Sequence, residues 1–383
     1  MSSARRRPLS EVLELRARHC ADLTDVAATV CDVVGSRVPF DFGCLATMDP
    51  ATSLISWAHK SRPLDIGDEE FAAAEYGGPD VNQFAELATR PEPVGVLSID
   101  TGGHPGSCRR FRDFLVPRFG FSDELRVVFR ARGLTWGAMA LYRASGEPAF
   151  SADDARTAVS VHAQVAELIQ AVLFRPAGTP AAATSGPSVI VVDAEDRVTH
   201  MTPAAHARVA ELGGWDNGSL PATVLVTCAA ARSTPELATT RAVGRDGAWL
   251  LLRATTIAPV AAPDAPLPGA DVVVTIEEAA PADISGLRLT AQGLSARERE
   301  VAALVLQGVS TKGIAAALYL SPHTVQDHLK SIFAKLGLNS RREMVRRLVL
   351  PDPPVPLPPS WDGPAPAAGP PSSHERISRH PAR

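Results

Sequence analysis

Residues 287–350 contain four short helical patterns in close succession, and this segment restricts the fold more than any other part of the chain. Ser295 and Glu298 have the spacing of a capping box, in which each side chain bonds to the backbone amide of the other residue. Ser310 and Ser321 occupy N-cap positions at the second and third helices, where a hydroxyl satisfies a free amide. The spacing therefore predicts an all-α domain of four helices.

The second and third helices are separated only by Tyr319 and Leu320, and so short a connection is typical of a helix-turn-helix. One stripe of the third helix is apolar and must face the core; it consists of Val325, Leu329, Ile332, Phe333 and Leu336. The opposite face is polar and carries His323, Asp327 and Lys330. A polar helix face of this kind suits the major groove of DNA.

The same segment is basic, although the chain as a whole is acidic. The 383 residues carry a formal net charge of −4. Between Arg288 and Leu350, ten Lys and Arg residues stand against four Asp and Glu residues. A basic block on an acidic chain is expected of a module that binds a polyanion.

The run from Leu294 to Arg341 resembles the LuxR-type (GerE-like) helix-turn-helix domain almost throughout. Matching residues occur along the whole run, among them Arg297, Glu298, Gly308, Ile314, Ala315, Ser321, Thr324, Val325, His328, Lys335 and Gly337. The resemblance implies a DNA-binding dimer, in which the third helix reads the major groove and the fourth helix pairs with its counterpart.

The resemblance also implies roles for individual side chains. By matching position, Thr311, Lys312 and Thr324 would anchor phosphates. The side chains that would meet base edges are Gln326, Asp327 and Lys330. The wider DNA surface is expected to include Ser310, Ser321, Val325, His328 and Lys335, and the dimer contact is expected at Met344, Val345 and Leu348.

Three residues depart from the family's usual pattern. Most relatives have Lys or Arg at the position of Gln326, and an amide there favours adenine. Asp327 is acidic in a groove lined by phosphates, so it either accepts from a cytosine amino group or only stabilises the helix dipole. Gly313 replaces a usual Glu and should cost the second helix about 1 kcal/mol. The departures leave the fold intact and the operator sequence open.

Residues 10–174 mix helices and strands and are predicted to form an α+β domain. A helix over 10–36 is followed by a hairpin over 39–60. A second hairpin then leads to a terminal helix that Ser151 begins. This order resembles a GAF domain, which implies a sensory module.

Three charged residues lie within the apolar runs of this first block. They are Asp123, Glu124 and Arg126. Two roles stay open for them, since they either form structural salt bridges or line a ligand pocket.

Residues 188–280 form a second, smaller α+β pattern. Thr202 and Pro203 begin a helix after two short strands, because proline suits a first helical position. Asp246 and Gly247 have the composition of a hairpin turn between two later strands. The T-P-A-A and R-D-G-x-W segments resemble those of a PAS domain.

Segments poor in residues that a core could bury separate these blocks. Residues 175–187 are predicted to be a linker, and 279–289 a shorter joint that leads into the helix-turn-helix domain at 286–350. Residues 351–383 are predicted to be a disordered, Pro-rich tail. The predicted fold class is therefore multidomain: a GAF-like α+β domain, a PAS-like α+β domain and an all-α, four-helix domain.

The remaining patterns exclude several classes of protein. The five cysteines form no C-x-x-C pair, so neither a zinc site nor a disulfide framework is indicated. No signal-peptide core or membrane-length apolar stretch occurs. The phosphate-binding loop, the H-E-x-x-H motif and the G-x-S-x-G motif are also missing. We therefore expect a cytoplasmic protein that is not an enzyme and has no metal or cofactor.

Together the patterns favour a sequence-specific transcriptional regulator that binds double-stranded DNA as a homodimer under the control of its front modules. RNA polymerase is a further candidate partner, and the small-molecule or protein signal is not identified. Two other functions stay open. One is a signalling adaptor that acts through its GAF-like and PAS-like modules. The other is a sigma-factor-like subunit, because a sigma factor's C-terminal helix-turn-helix also begins with L-S-x-R-E-R-E-V.

Overall fold

The computed structural model describes most of the chain, namely residues 7–64, 68–175, 186–216, 218–234, 236–258 and 270–349. The predicted tail at 351–383 lies outside these residues, as does the predicted linker at 175–187 except at its ends. Two units with a five-stranded sheet each are followed by a group of helices. The predicted order of two α+β parts and one all-α part is confirmed.

The first unit contains helices and an antiparallel sheet with the strand order β2-β1-β5-β4-β3. Its helices and strands in chain order are α1 (Leu9–Ala17), α2 (Leu23–Gly35), β1 (Phe42–Met48), β2 (Ile55–Lys60), α3 (Glu69–Tyr76), α4 (Phe84–Leu87), β3 (Val94–Val96), α5 (Leu97–Asp100), α6 (Val116–Phe119), β4 (Phe121–Ala131), β5 (Leu134–Ala144), α7 (Ala152–Val159) and α8 (His162–Leu173). A 3₁₀ turn at Pro105–Ser107 and a π-helical turn at Phe111–Leu115 precede α6.

Both faces of this sheet are buried. Leu45, Val127 and Met139 pack into one core together with residues of α2 and α8, while Val128 and Ala138 pack into a second core on the other face. Successive strand residues point to opposite faces. A strand buried on both sides therefore reads as a nearly continuous apolar run and not as an alternating one. This is the pattern of β5, whereas β4 also carries charged residues.

The helix predicted over 10–36 is in fact two helices, α1 and α2. Asp22 has an extended backbone, with φ −143° and ψ −176°, and its carboxylate accepts a hydrogen bond from the amide of Asp25 at 2.9 Å. An aspartate in this position begins a new helix. The apolar period continues across 18–22, but the helical backbone does not.

The charged residues of β4 are buried and bonded. Arg126 lies 2.7 Å from Glu75 and 3.1 Å from Glu124. Asp123 accepts hydrogen bonds from the amide and the hydroxyl of Ser98, at 3.0 and 2.8 Å. Burial of charged groups is stable only with such partners. The structural role that the sequence left open is thus present, and Arg126 in addition lines a small cavity.

The second unit repeats the strand order of the first. Its sheet is antiparallel with the order β7-β6-β10-β9-β8, so both sheets have the same order when strands are numbered within each unit. Its elements are β6 (Val189–Val192), β7 (Val198–Met201), α9 (Pro203–Glu211), α10 (Ala222–Ser233), β8 (Ala238–Val243), β9 (Trp249–Ile257) and β10 (Asp271–Glu278).

The local signals predicted for this unit are confirmed. The hydroxyl of Thr202 accepts from the amide of Ala205 at 3.3 Å and begins α9. Gly247 has φ +83° in the turn between β8 and β9, and Asp246 accepts from the amide of Ala248 at 2.9 Å. A positive φ explains why glycine follows the aspartate there.

The joint predicted at 279–289 is wrong, because the chain forms a helix, α11 (Pro281–Ala291). The carboxylate of Asp283 accepts from the amide of Ala280 at 2.9 Å and so satisfies a free donor at the start of the helix. Ile284 and Leu287 lie three residues apart and are both buried. Burial of this short apolar stripe stabilises a helix that the small residues around it do not predict.

The four predicted helices follow α11. They are α12 (Ala296–Leu306), α13 (Thr311–Ala317), α14 (Pro322–Leu336) and α15 (Arg341–Val349). The three predicted caps are confirmed, since the hydroxyls of Ser295, Ser310 and Ser321 each accept from the amide three residues later, at 3.2, 3.1 and 3.0 Å. Val301, Ile314, Val325 and Ile332 form the centre of this domain's core.

Glu298 fixes α14 against α12. Its buried carboxylate accepts from the hydroxyl of Ser331 and from the ammonium of Lys335, both at 2.6 Å, and from the amide of Ser295 at 2.6 Å. Burial alone would raise the pKa of this carboxyl, but the bonds from Lys335, Ser331 and Ser295 outweigh it and lower the pKa to about 2. The packing of α14 therefore depends on an ionised glutamate.

We expect Glu298→Gln to destabilise the packing of α14 on α12 by about 1–3 kcal/mol at pH 7, because it removes the buried, ionised acceptor shared by Ser331, Ser295 and the partly exposed Lys335. The pKa is lowered by folding, so the contribution is complete above the ordinary carboxyl pKa of 4.5 and disappears as the pH falls toward 2. Amide hydrogen exchange of α12 and α14 between pH 7 and pH 3 measures the difference between variant and wild type.

The matched control is Glu300→Gln, because Glu300 pairs with Arg297 at 2.5 Å on the surface of the same helix. Exposed pairs contribute little, so this variant should exchange like the wild type. Equal exchange in both variants, or a difference that persists unchanged at pH 3, would show that Glu298 does not hold α14 in place.

Candidate nucleic-acid interface

Helix α14 is divided into a buried stripe and an exposed polar face. Val325, Leu329 and Ile332 are buried in the domain's core. On the other side, the side chains of His323 and Lys330 are 82% and 77% exposed. Gln326 is exposed as well. The face predicted to meet DNA is therefore accessible.

The two helices of the helix-turn-helix each begin with hydroxyl-bearing residues. Ser310 and Lys312 are exposed, and Thr311 is half-buried, at the start of α13. The hydroxyl of Ser321 lies 2.9 Å from that of Thr324 at the start of α14. Free amides and hydroxyls at a helix N-terminus attract anions such as phosphate.

Asp327 has a histidine and a lysine as neighbours on its own helix. Its carboxylate lies 3.6 Å from the imidazole of His323 and 3.7 Å from the ammonium of Lys330. Side-chain pairs three or four residues apart on a helix surface each stabilise the helix by about 0.2–0.5 kcal/mol. Because these pairs are weak and exposed, a base or a phosphate competes readily for each partner.

Two predicted contact residues have other positions. Val325 is fully buried in the core and presents no side chain to a ligand. Lys335 bonds to Glu298 and so holds α14 in place. His328 is half-buried, as its position between the stripe and the exposed face predicts.

Of the three residues predicted to contact a second copy, two are buried and one is partly exposed. Met344 and Leu348 are buried in the domain's own core, so their side chains are not on an exposed surface. Val345 is partly exposed and borders a shallow depression with Arg341, Arg342 and Arg346. Of the three residues, Val345 is the one that remains a candidate for contact with a second copy.

Two features of the interface were not predicted. Tyr319, in the turn between α13 and α14, has φ +54° and is 96% exposed. A positive φ at a non-glycine residue is uncommon, and nothing in the residue type indicates it. Ser331 bonds to Glu298 from a helix 33 positions away in sequence, and no local spacing signals a contact between separate helices.

No group of three or more His, Cys, Asp or Glu among the described residues is arranged to hold a metal ion. None of the helices described here has the length and apolar character needed to cross a membrane.

The family model "Bacterial regulatory proteins, luxR family" matches residues 292–348. A putative helix-turn-helix-type transcriptional regulator of Mycobacterium bovis is 52% identical over 52 residues, which are 14% of this chain and 6% of that protein. A regulator of Aeromonas salmonicida is 48% identical over 67 residues, 18% of this chain and 32% of that protein. UhpA of Escherichia coli is 46% identical over 55 residues, 14% and 28% of the two chains.

The chain thus spans about a third or less of the length of these relatives. Among solved structures, the GAF domain of a Coxiella burnetii phosphotransferase aligns with a TM-score of 0.30 at 12% identity, over 42% of this chain and 90% of that one. A Vibrio cholerae VqmA dimer aligns with a TM-score of 0.20 at 16% identity, over 42% and 80% of the two chains.

The family match coincides with the helices whose caps, core and exposed face are described above. Its boundaries exclude the whole of α11 and include the whole of α14. Residues 292–348 are therefore a helix-turn-helix domain of the luxR family.

Proposed function

We propose that this protein is a sequence-specific transcriptional regulator that inserts α14 into the major groove of double-stranded DNA. The observation that carries the proposal is the exposed polar face of α14 in a domain of the luxR family. The relatives of Mycobacterium bovis and Aeromonas salmonicida are described as putative helix-turn-helix-type transcriptional regulators, which favours a regulator over a signalling adaptor or a sigma-like subunit. In this proposal the protein acts in the cytoplasm, where it meets DNA.

Each side chain of the face has a role in this proposal. Thr311, Lys312 and Thr324 hold phosphates and fix the register of the domain on the duplex. Gln326 and Lys330 meet base edges, and the amide of Gln326 selects adenine. Asp327 exchanges its weak contacts along the helix for a base donor or remains paired with Lys330. The surrounding hydroxyls of Ser310 and Ser321 complete the phosphate contacts.

The two front units have a sensory role in this proposal. We assign residues 10–174 to a GAF-like module and 188–280 to a PAS-like module. Supporting this assignment, the two sheets share one strand order, and the hairpin and cap signals on which the resemblance rests are present. The signal that they detect is a small molecule or a partner protein, and RNA polymerase is a further partner of the DNA-bound form.

The active form in this proposal is a homodimer that contacts two half-sites. Val345 lies on α15 between Arg342 and Arg346. Two such faces around a twofold axis bring the valine side chains together and leave the arginines at the rim, where they remain hydrated. Dimers of helix-turn-helix domains bind half-sites about one DNA turn apart.

Lys330→Ala and Gln326→Ala should each weaken binding to the preferred duplex by about 1–3 kcal/mol, because each removes a base contact. Lys312→Ala should weaken binding to all duplexes alike and reduce the salt dependence by about one counterion. The preferred duplex is first selected from random DNA with the wild-type protein. Titrations of this labelled duplex and of unrelated duplexes at several salt concentrations then measure the affinity and its salt dependence.

Arg156→Ala is the matched control, because it removes an exposed positive charge from the first unit. It should leave both the affinity and the salt dependence unchanged. The regulator assignment fails if Lys330→Ala and Gln326→Ala bind as the wild type does, or if Arg156→Ala weakens binding as much as they do.

Val345→Asp should abolish cooperative binding to a duplex with two half-sites, because two carboxylates would meet at the dimer contact. Binding to a single half-site should remain, since α14 is not altered. Electrophoretic mobility shifts measure the affinity for a duplex with one half-site and the cooperativity on a duplex with two. The control is Ala303→Asp, at an exposed position of α12. Unchanged cooperativity in Val345→Asp would place the dimer contact elsewhere.

A further inference from the structure

We propose that Arg241 is the positioning residue that locks α11, and with it the luxR-family domain, onto both front units. Arg241 lies on β8, which is an edge strand of the second sheet. The effect of Arg241 on gene control rests on the proposed function. Its effect on the orientation of the luxR-family domain does not.

The first contact of Arg241 crosses from the second unit to the first. Its backbone amide and its guanidinium Nη1 both donate to Oδ2 of Asp49, each at 2.9 Å. Asp49 stands between β1 and β2 and its side chain is fully buried, while that of Arg241 is 18% exposed. A buried carboxylate without its partner is strongly destabilising. The pair therefore holds the two units in one arrangement.

The second contact reaches the helix that leads to the luxR-family domain. Nε of Arg241 donates to the backbone carbonyl of Asp283, in the first turn of α11, at 2.9 Å. One guanidinium thus joins three parts of the chain. The planar fork of arginine donates in two fixed directions at once, which a lysine ammonium on a flexible stem does not reproduce.

Helix α11 transmits this position because its residues belong to two cores. Ile284 and Leu287 are buried in the core of the first unit, whereas Leu289 is buried in the core of the luxR-family domain. The far end of the helix is also held, since Arg132 of the first unit donates to the carbonyl of Ala291 at 3.2 Å. A shift at Asp283 consequently moves Leu289, about 9 Å along the same rigid helix.

The hairpin that carries Asp49 also forms one wall of a cavity of about 70 Å³. Ala46 on β1 and Ile55 on β2 line it, and Ala222 and Val226 of α10 close it from the second unit. Ala46 is three residues before Asp49. A change in the contents of this cavity thus acts on the hairpin next to the contact with Arg241.

Three variants of the full chain test whether Arg241 positions α11. The readout is amide hydrogen exchange of residues 281–291 in the absence of DNA. Arg241→Lys keeps a cation beside Asp49 but loses the bond to Asp283. We expect exchange in α11 to become about tenfold faster, the factor for one lost charge-assisted hydrogen bond. The apparent unfolding midpoint should remain within about 2 °C of the wild type.

Asp49→Asn separates coupling from a purely structural role, because residue 49 does not bond to α11. Weakening its contact with Arg241 should still speed exchange in α11. In the double variant Asp49→Asn with Arg241→Lys, α11 should exchange no faster than in Arg241→Lys alone, since the two changes act through one connection.

Arg253→Lys is the matched control, because Arg253 pairs with Glu277 at 2.7 Å within the second sheet. Amide hydrogen exchange in α11 of this variant should equal that of the wild type. Wild-type exchange in Arg241→Lys, additive effects in the double variant, or equal acceleration throughout the second sheet would each overturn the proposal. A wild-type protein that binds no specific DNA refutes the proposed function and leaves these exchange results standing.

Discussion

The separation of α14 into an apolar stripe and a polar face is the constraint on which the interface depends. The stripe that ends with Ile332 supplies most of the core contact of this helix, and the bonds of Glu298 to Ser331 and Lys335 add a fixed rotation about the helix axis. Burial of the stripe turns the opposite, polar face outward. The bonds of Glu298 hold the helix in that rotation more narrowly than non-directional burial does.

Much of the luxR-family domain was predictable because its signals are local. Caps such as Ser295 and turns such as that before Ser321 act within four residues, and the structure reproduces them. The misplaced residues have a common cause. Met344 and Leu348 were expected at a dimer surface, but an amphipathic pattern shows only that a stripe is buried, and their own domain's core buries it.

Two predictions of local structure failed, one because of distant parts of the chain and one because of a local cap. Helix α11 lies in a segment of small residues that resembles a joint, and it is helical because the first unit buries Ile284 and Leu287. The break between α1 and α2 has the opposite origin. There the N-cap bond of Asp22 interrupts an apolar period that continues through it. The contact of Arg241 with Asp49 likewise could not be predicted from the sequence, because the two residues are far apart along the chain.

In the proposed dimer, a helix in place of a flexible joint changes what controls the spacing of the two DNA-binding domains. A tether would leave the domains free to sample many separations, at an entropic cost when DNA selects one. Each residue of α11 instead contributes a rotation of about 100° and an advance of about 1.5 Å. In the proposed regulator, the length of this one helix therefore sets the angular phase at which the front units present α14 to the duplex.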